Sequence, residues 1–118
     1  MIAQLQSGEA FVFGSNLVGE HAGGAAKQAF EQFGAAWGVG EGLTGQCYAL
    51  PTLDENMQRF KQLELHSIVE AFKRCARAHP DKTFLLTKVG CGIAGYPEEY
   101  IKKFFADMPS NVIKPEGW

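Results

Sequence analysis

Two stretches of small residues constrain the fold of this chain more than any other feature. The first runs from Gly14-Ser15-Asn16 through Gly23-Gly24-Ala25-Ala26. The second is Gly90-Cys91-Gly92-Ile93-Ala94-Gly95-Tyr96. Each directly follows an apolar stretch that reads as a buried strand, Ala10-Phe11-Val12-Phe13 in one case and Thr83-Phe84-Leu85-Leu86-Thr87 in the other. Each leads into a helical pattern. A strand, a glycine loop and a helix start together present main-chain N–H groups to an anion, usually a phosphate. Two such loops on one small sheet predict one ligand clamped from two sides, a nucleotide or phosphorylated sugar rather than a protein partner.

The remaining periodicities place these loops in an α/β frame. The run at 10–13 is continuously apolar rather than alternating, which suits a strand covered on both faces. Ala26, Ala29, Phe30 and Phe33 predict a helix ended by Gly34. Tyr48-Ala49-Leu50 predicts a second strand, stopped by Pro51, and the glycine-rich stretch 38–45 before it predicts a loop. Residues 53–61 are polar and read as a surface loop. Leu65, Ile68, Val69, Phe72, Cys75 and Ala76 recur at helical spacing and predict a helix over 65–79. Pro97 at a first helical position, with Glu98 and Glu99 in the first turn, predicts a helix over 97–106. Residues 111–113 read as a last short strand, and residues 1–8 as a frayed lead-in or an edge strand. Strands alternate with helices, which predicts a largely parallel sheet with its ligand at the carboxyl ends of the strands.

Composition narrows the classes. A length of 118 residues predicts a single domain with one core. No apolar run approaches the roughly 18 residues of a membrane span, and no basic start followed by an apolar segment marks a secretory signal. The formal charge of −2 gives no basic footprint for nucleic acid. Main-chain amides carry no net charge, so a nucleotide ligand is still compatible. Cys47, Cys75 and Cys91 are odd in number and lack C-x-x-C spacing, which points to a reducing compartment, read as the cytoplasm. His21, His66 and His79 have no metal-ligand spacing, so no metal and no cofactor are expected.

These segments resemble a known family. Phe13-Gly14-Ser15-Asn16, followed by Gly19 and Gly23-Gly24-Ala25-Ala26, is similar to the macro-domain pattern of a strand ending in Asn-Ala-Ala-Asn before a glycine-rich stretch and a helix. Residues 42–51 are similar to the macro segment that ends in a Tyr-x-Leu-Pro-like strand. Gly90-Cys91-Gly92-Ile93-Ala94-Gly95-Tyr96-Pro97 resembles the second macro phosphate loop. The match runs in chain order over about residues 10–106 and is closest to compact macro-like proteins of bacteria and their phages. The resemblance implies a three-layer α/β/α macro-like domain with a mostly parallel sheet, spanning residues 1–118. It also implies a ligand of the ADP-ribose type. Asn16 is expected to contact the distal ribose. Gly92, Ile93, Ala94 and Gly95 are expected to cradle the diphosphate through N–H groups, and Tyr96 to line the ribose pocket. The chain departs from the family at Phe13, which replaces the first asparagine. It departs again where a lysine–aspartate hydrolase branch has its two ionisable residues, since those places hold Thr52 or Leu53 and Ala94 or Gly95.

The candidate ligand-binding residues are therefore Gly14, Ser15, Asn16, Gly23, Gly24, Ala25, Gly90, Cys91, Gly92, Ile93, Ala94, Gly95 and Tyr96. Asn16 and His21 are the candidates for orienting water and carrying a proton if the protein is an ADP-ribose phosphatase or ADP-ribosyl hydrolase. His21 and Glu20 have no apolar neighbours in sequence that demand burial, so a solvated loop pair is the alternative. Asn16 could equally cap a turn. Amides around Cys91 would favour its thiolate, against a simple packing role. Three functional classes stay open: an enzyme, a non-catalytic sequestering or sensing protein for a signalling nucleotide, and an interaction domain with a degenerate pocket. Oligomeric state is likewise open.

Overall fold

The computed structural model describes residues 4–118. In chain order the elements are β1 (Glu9–Asn16), α1 (Gly24–Gln32), β2 (Gly42–Thr44), β3 (Cys47–Leu53), α2 (Gln62–Ala78), β4 (Thr83–Leu86), α3 (Glu98–Ile101), a 3₁₀ turn (Lys102–Phe105) and β5 (Val112–Ile113). One five-stranded sheet has the order β2-β3-β1-β4-β5. β1 pairs in parallel with β3 and with β4, and β4 with β5; β2 joins β3 antiparallel. The chain is thus an α/β domain with a mostly parallel sheet, as the alternation of patterns predicts.

The continuous apolarity of β1 has a direct structural cause. Its side chains alternate between two cores. Ala10 and Val12 enter a cluster with Tyr48, Leu50, Phe84 and Leu86, roofed by Leu65, Val69, Phe72 and Ala76 of α2 and by Ile101 and Phe105. Phe11 and Phe13 enter a second cluster with Cys47, Ala49, Phe33 and the small residues Ala26 and Ala29 of α1. Small residues on α1 let the helix lie close to the sheet. Phe72 makes tilted and edge-on ring contacts with Tyr48 and Phe84, at 4.9 and 5.7 Å between centroids. Full burial of such a ring stabilises the fold by about 1.5–3 kcal/mol.

Several sequence expectations need correction. The glycine-rich stretch is not all loop, because residues 42–44 form β2. The hairpin turns at Gly45-Gln46, where Gly45 adopts a φ of 54°. β3 is not stopped by Pro51, which pairs in register with Ser15. β2 reaches only to Ala49, so the outer side of β3 is open at Pro51, a place that tolerates a missing N–H. α2 begins earlier than its apolar stripe. The Lys61 N–H donates to Glu64 Oε1 at 2.8 Å and so starts the helix on polar residues. The helix expected over 97–106 is a single α turn that tightens into the 3₁₀ turn, with Pro97 preceding it as its cap. Residues 4–8 form no strand, and the rest of the expectation for 1–8 lies outside the described residues.

β4 is the most consequential correction. Phe84 and Leu86 are buried but Thr83 and Leu85 are only partly so. α1 packs over β1 and β3, and among the described residues no helix covers the same face of β4 and β5. Ile113 on β5 is 52% exposed there.

Candidate functional site

Because β1, β3 and β4 run parallel, their carboxyl ends meet at one edge of the sheet. The first glycine loop leaves β1, the second leaves β4, and residues 52–57 leave β3. Between them lies a cleft of about 370 Å³. Its lining includes Gly14, Ser15, Asn16, Gly23, Gly24 and Ala25 from the first loop. Gly90, Gly92, Ile93 and Ala94 line it from the second. Cys91, Gly95 and Tyr96 are not part of the lining.

The chemical character of the cleft follows from amides with no acceptor. Gly23 precedes α1 in an extended conformation and offers no side-chain cap, and the first turn of α1 carries no acid. The first helical hydrogen bond is from Lys27 N–H to Gly23 O, so the N–H groups of Gly24, Ala25 and Ala26 have no acceptor among the described residues. In the second loop, Cys91, Gly95 and Tyr96 donate to Lys88, Gly92 and Gly90 respectively. That internal bonding folds the loop. It leaves the N–H groups of Gly92, Ile93 and Ala94 without an acceptor among the described residues. The residues that bear these amides, at the positive end of a helix and in the second glycine loop, all line one cavity.

The side chains around these amides mostly build the loops. Asn16 is buried; its Oδ1 accepts the N–H groups of Gly19 at 2.8 Å and Glu20 at 3.1 Å, and its Nδ2 donates to Glu20 O at 3.0 Å. Of the two roles weighed for Asn16, the turn-forming one is occupied, while the residue still lines the cleft. Ser15 Oγ donates to Gly40 O, which ties the end of β1 to the stretch before β2. Thr52 Oγ1 donates to Ser15 O at 3.3 Å.

Tyr96 is a strut. It is 5% exposed, its hydroxyl donates to Thr52 O at 2.9 Å, and the same oxygen accepts the Phe60 N–H at 2.8 Å. Both hydroxyl functions are used inside the protein, so the ribose contact implied by the resemblance has no free polar tip to supply it. Gly90 makes this packing feasible. It has a φ of 77°, and a Cβ there would sit 2.9 Å from the Tyr96 ring. Gly92 is the opposite case, because a Cβ there would meet nothing within 4 Å.

His21 corrects a second expectation. It is 1% exposed, not solvated, and it does not line the cleft. Nε2 donates to Ala36 O at 3.0 Å, and the ring packs edge-on against Phe13 and Trp37. Nδ1 meets no partner among the described residues. The apolar neighbours that bury it come from β1 and from the stretch after α1, which local sequence does not reveal.

Cys91 is corrected as well. Burial, reinforced by Glu98, pushes its thiol above the ordinary range, and Lys88 only partly offsets this. The surrounding loop therefore does not favour a thiolate. Cys47 is a core residue whose thiol is pushed up to about 12 by burial.

Two residues of the site carried no clear sequence signal. Arg59 lies in the segment read as a polar surface loop. Its Nε donates to Ala94 O at 2.8 Å and its Nη2 to Gly95 O at 3.0 Å, with the guanidinium carbon 5.5 Å from the Tyr96 ring centroid. These two bonds pin the carboxyl end of the second loop from outside the cleft. Lys88 precedes the second loop and lines the cleft, and its Nζ pairs with Glu98 at 3.1 Å. A cation beside a glycine loop was the one available hint. The Glu98 carboxyl is held below its usual range, first by the Trp118 indole N–H and then by Lys88.

Glu20 and Lys88 are the ionisable side chains that line the cleft. Among the described residues no three histidine, cysteine, aspartate or glutamate side chains stand close enough to hold a metal ion. No helix of the described residues is long and apolar enough to cross a membrane. No family model, no curated protein and no solved structure matches the chain.

Proposed function

We propose that this chain is a macro-like domain that binds ADP-ribose or a related nucleotide diphosphate in the cleft. The diphosphate lies against the N–H groups of Gly24–Ala26 on one side and of Gly92–Ala94 on the other. The single observation that carries this reading is that the six residues bearing these unaccepted amides all line one cavity. The placement of α1 on one sheet face and of α2 with α3 on the other supports the three-layer α/β/α arrangement of that family. The second loop, with its Gly-x-Gly-Ile-x-Gly-Tyr spelling, supports it from sequence.

The reading is binding without turnover. Glu20 is exposed at the cleft and Lys88 is engaged with Glu98, so the lining offers no oriented acid–base pair. His21, the proton carrier considered from sequence, is engaged with Ala36 O in an aromatic setting away from the lining. A sequestering or sensing role for a small anionic ligand in a reducing, cytoplasmic setting fits this cleft and three free thiols. A chain of net charge −2 favours such a ligand over nucleic acid.

Calorimetry with ADP-ribose tests the proposal. Saturable binding is expected, with a melting temperature that climbs as ligand is raised, by about 2.7 kcal/mol of stabilisation at a hundredfold excess over Kd. Absence of heat, or a ligand found elsewhere in soaked crystals, overturns it. Orthophosphate released from ADP-ribose 1″-phosphate, or ADP-ribose released from modified protein, would make the protein an enzyme instead.

A further inference from the structure

The face of β4 and β5 that α1 leaves open is shaped. Together with α1 it forms a trough of about 1000 Å³. Leu85 and Ile113 contribute an apolar floor. Lys27 on α1 stands on one side, Lys114 after β5 on the other, and Lys88 at the end next to the cleft; Glu31 is the one carboxylate in the lining. Three lysines against one acid make this a locally basic site on a chain whose net charge is −2. Neither Lys27 nor Lys114 has an ion-pair partner among the described residues.

The trough is continuous with the cleft. Gly24, Ala25, Thr87 and Lys88 line both. The cleft itself, at about 370 Å³, lies near the lower end of small-molecule sites, which span about 300–1,000 Å³. Because the two spaces share a wall, a ligand with two sugars, a base and a diphosphate can extend from the cleft into the trough. An apolar floor accepts the face of a base, and a lysine rim accepts negative charge.

We propose that the trough receives the nucleoside end of the ligand and that Lys27 and Lys114 bind a further phosphomonoester carried there. The ligand class is then a nucleotide diphosphate bearing an additional phosphate on its nucleoside. This rests on the cleft being the diphosphate site. Lys88, at the junction, exchanges its exposed Glu98 partner for ligand phosphate at little cost, since an exposed ion pair contributes little.

The test compares ADP-ribose with ADP-ribose carrying a 2′-phosphate on its adenosine, by calorimetry at low and high salt. The wild type and the Lys27→Gln/Lys114→Gln double variant are used; both lysines lie at the surface, and unchanged melting curves verify the fold. The extra phosphate is expected to tighten wild-type binding about fivefold or more at low salt, with the gain shrinking as salt rises. The double variant is expected to lose that gain while binding ADP-ribose within about twofold of wild type. If ADP-ribose binds but the extra phosphate gives no gain, or the double variant keeps it, the trough assignment falls and the cleft reading stands. If neither ligand binds the wild type, both fall. A dimer in sedimentation that dissociates in Ile113→Asp would assign the open face to a second copy and overturn the trough assignment as well.

Discussion

The Tyr96 hydroxyl donates to the carbonyl of Thr52 at 2.9 Å, joining the end of the second glycine loop to the strand beside β1. This one bond, with the Phe60 N–H arriving at the same oxygen, sets how far the second loop stands from the first. Tyr96→Phe removes both and leaves a buried carbonyl unpaired. A loss of about 1–3 kcal/mol in unfolding free energy is expected by urea denaturation. Ligand affinity should fall in the same variant, because the loop loses its anchor. Unchanged stability would show that the hydroxyl is replaceable by water.

Arg59 acts on the loop from its outer side, through Ala94 O and Gly95 O. Arg59→Ala is expected to weaken ADP-ribose binding about fivefold while shifting stability by under about 1 kcal/mol, since the side chain is exposed. Arg59→Lys should recover little of that affinity, because an ammonium cannot span two carbonyls as the planar fork does. Calorimetry and thermal melts on the two variants separate positioning from simple charge. Full rescue by lysine would assign Arg59 a merely electrostatic role.

Gly92→Glu places a carboxylate among the unaccepted amides. The site has open space for the new side chain, so the fold should persist with a melting temperature near wild type. Binding should disappear, because the added charge competes for the same N–H groups. Gly90→Ala is the contrasting control. Its positive φ and the Tyr96 ring should make it destabilising by about 1–3 kcal/mol. Retained binding in Gly92→Glu would move the anion site elsewhere.

Alkaline pH should weaken the fold through the buried thiols. Cys47 rises from 9.0 to about 12 on folding, so between those values the native state holds a proton that the unfolded state has lost. Stability is therefore full below pH 9 and declines as pH rises towards 12. Cys75 and Cys91 are raised too and add to the decline. Urea midpoints at about pH 8 and about pH 10 should differ in the wild type and differ less in Cys47→Ala. An equal slope in both would place the alkaline sensitivity elsewhere.

Local patterns were legible where one residue type has one physical reason to be there. Val12 and Phe13 must both be buried, so a strand with two covered faces followed. Gly90, Gly92 and Gly95 are closely spaced after a buried strand, so a tight loop followed, while the Tyr96 ring that crowds Gly90 became visible only in the structure. α2 was legible from Leu65, Val69 and Phe72, but not its start, because Lys61 and Glu64 begin it by a polar bond that has no apolar period. Pro51 misled because the rule against proline in strands depends on whether a neighbour strand is present, and β2 stops at Ala49.

The residues by themselves determined that amide-rich loops follow two strands, since small side chains and positive φ are local properties. Only the tertiary structure decided which polar groups were left over to meet a ligand. Asn16 is spent locally on Gly19 and Glu20, whereas Tyr96 and His21 are spent on the carbonyls of Thr52 and Ala36, partners that come together through folding. Arg59 reaches the second loop for the same reason. Hydrogen bonds are satisfied across space, and a sequence shows which groups can bond but not which of them already have.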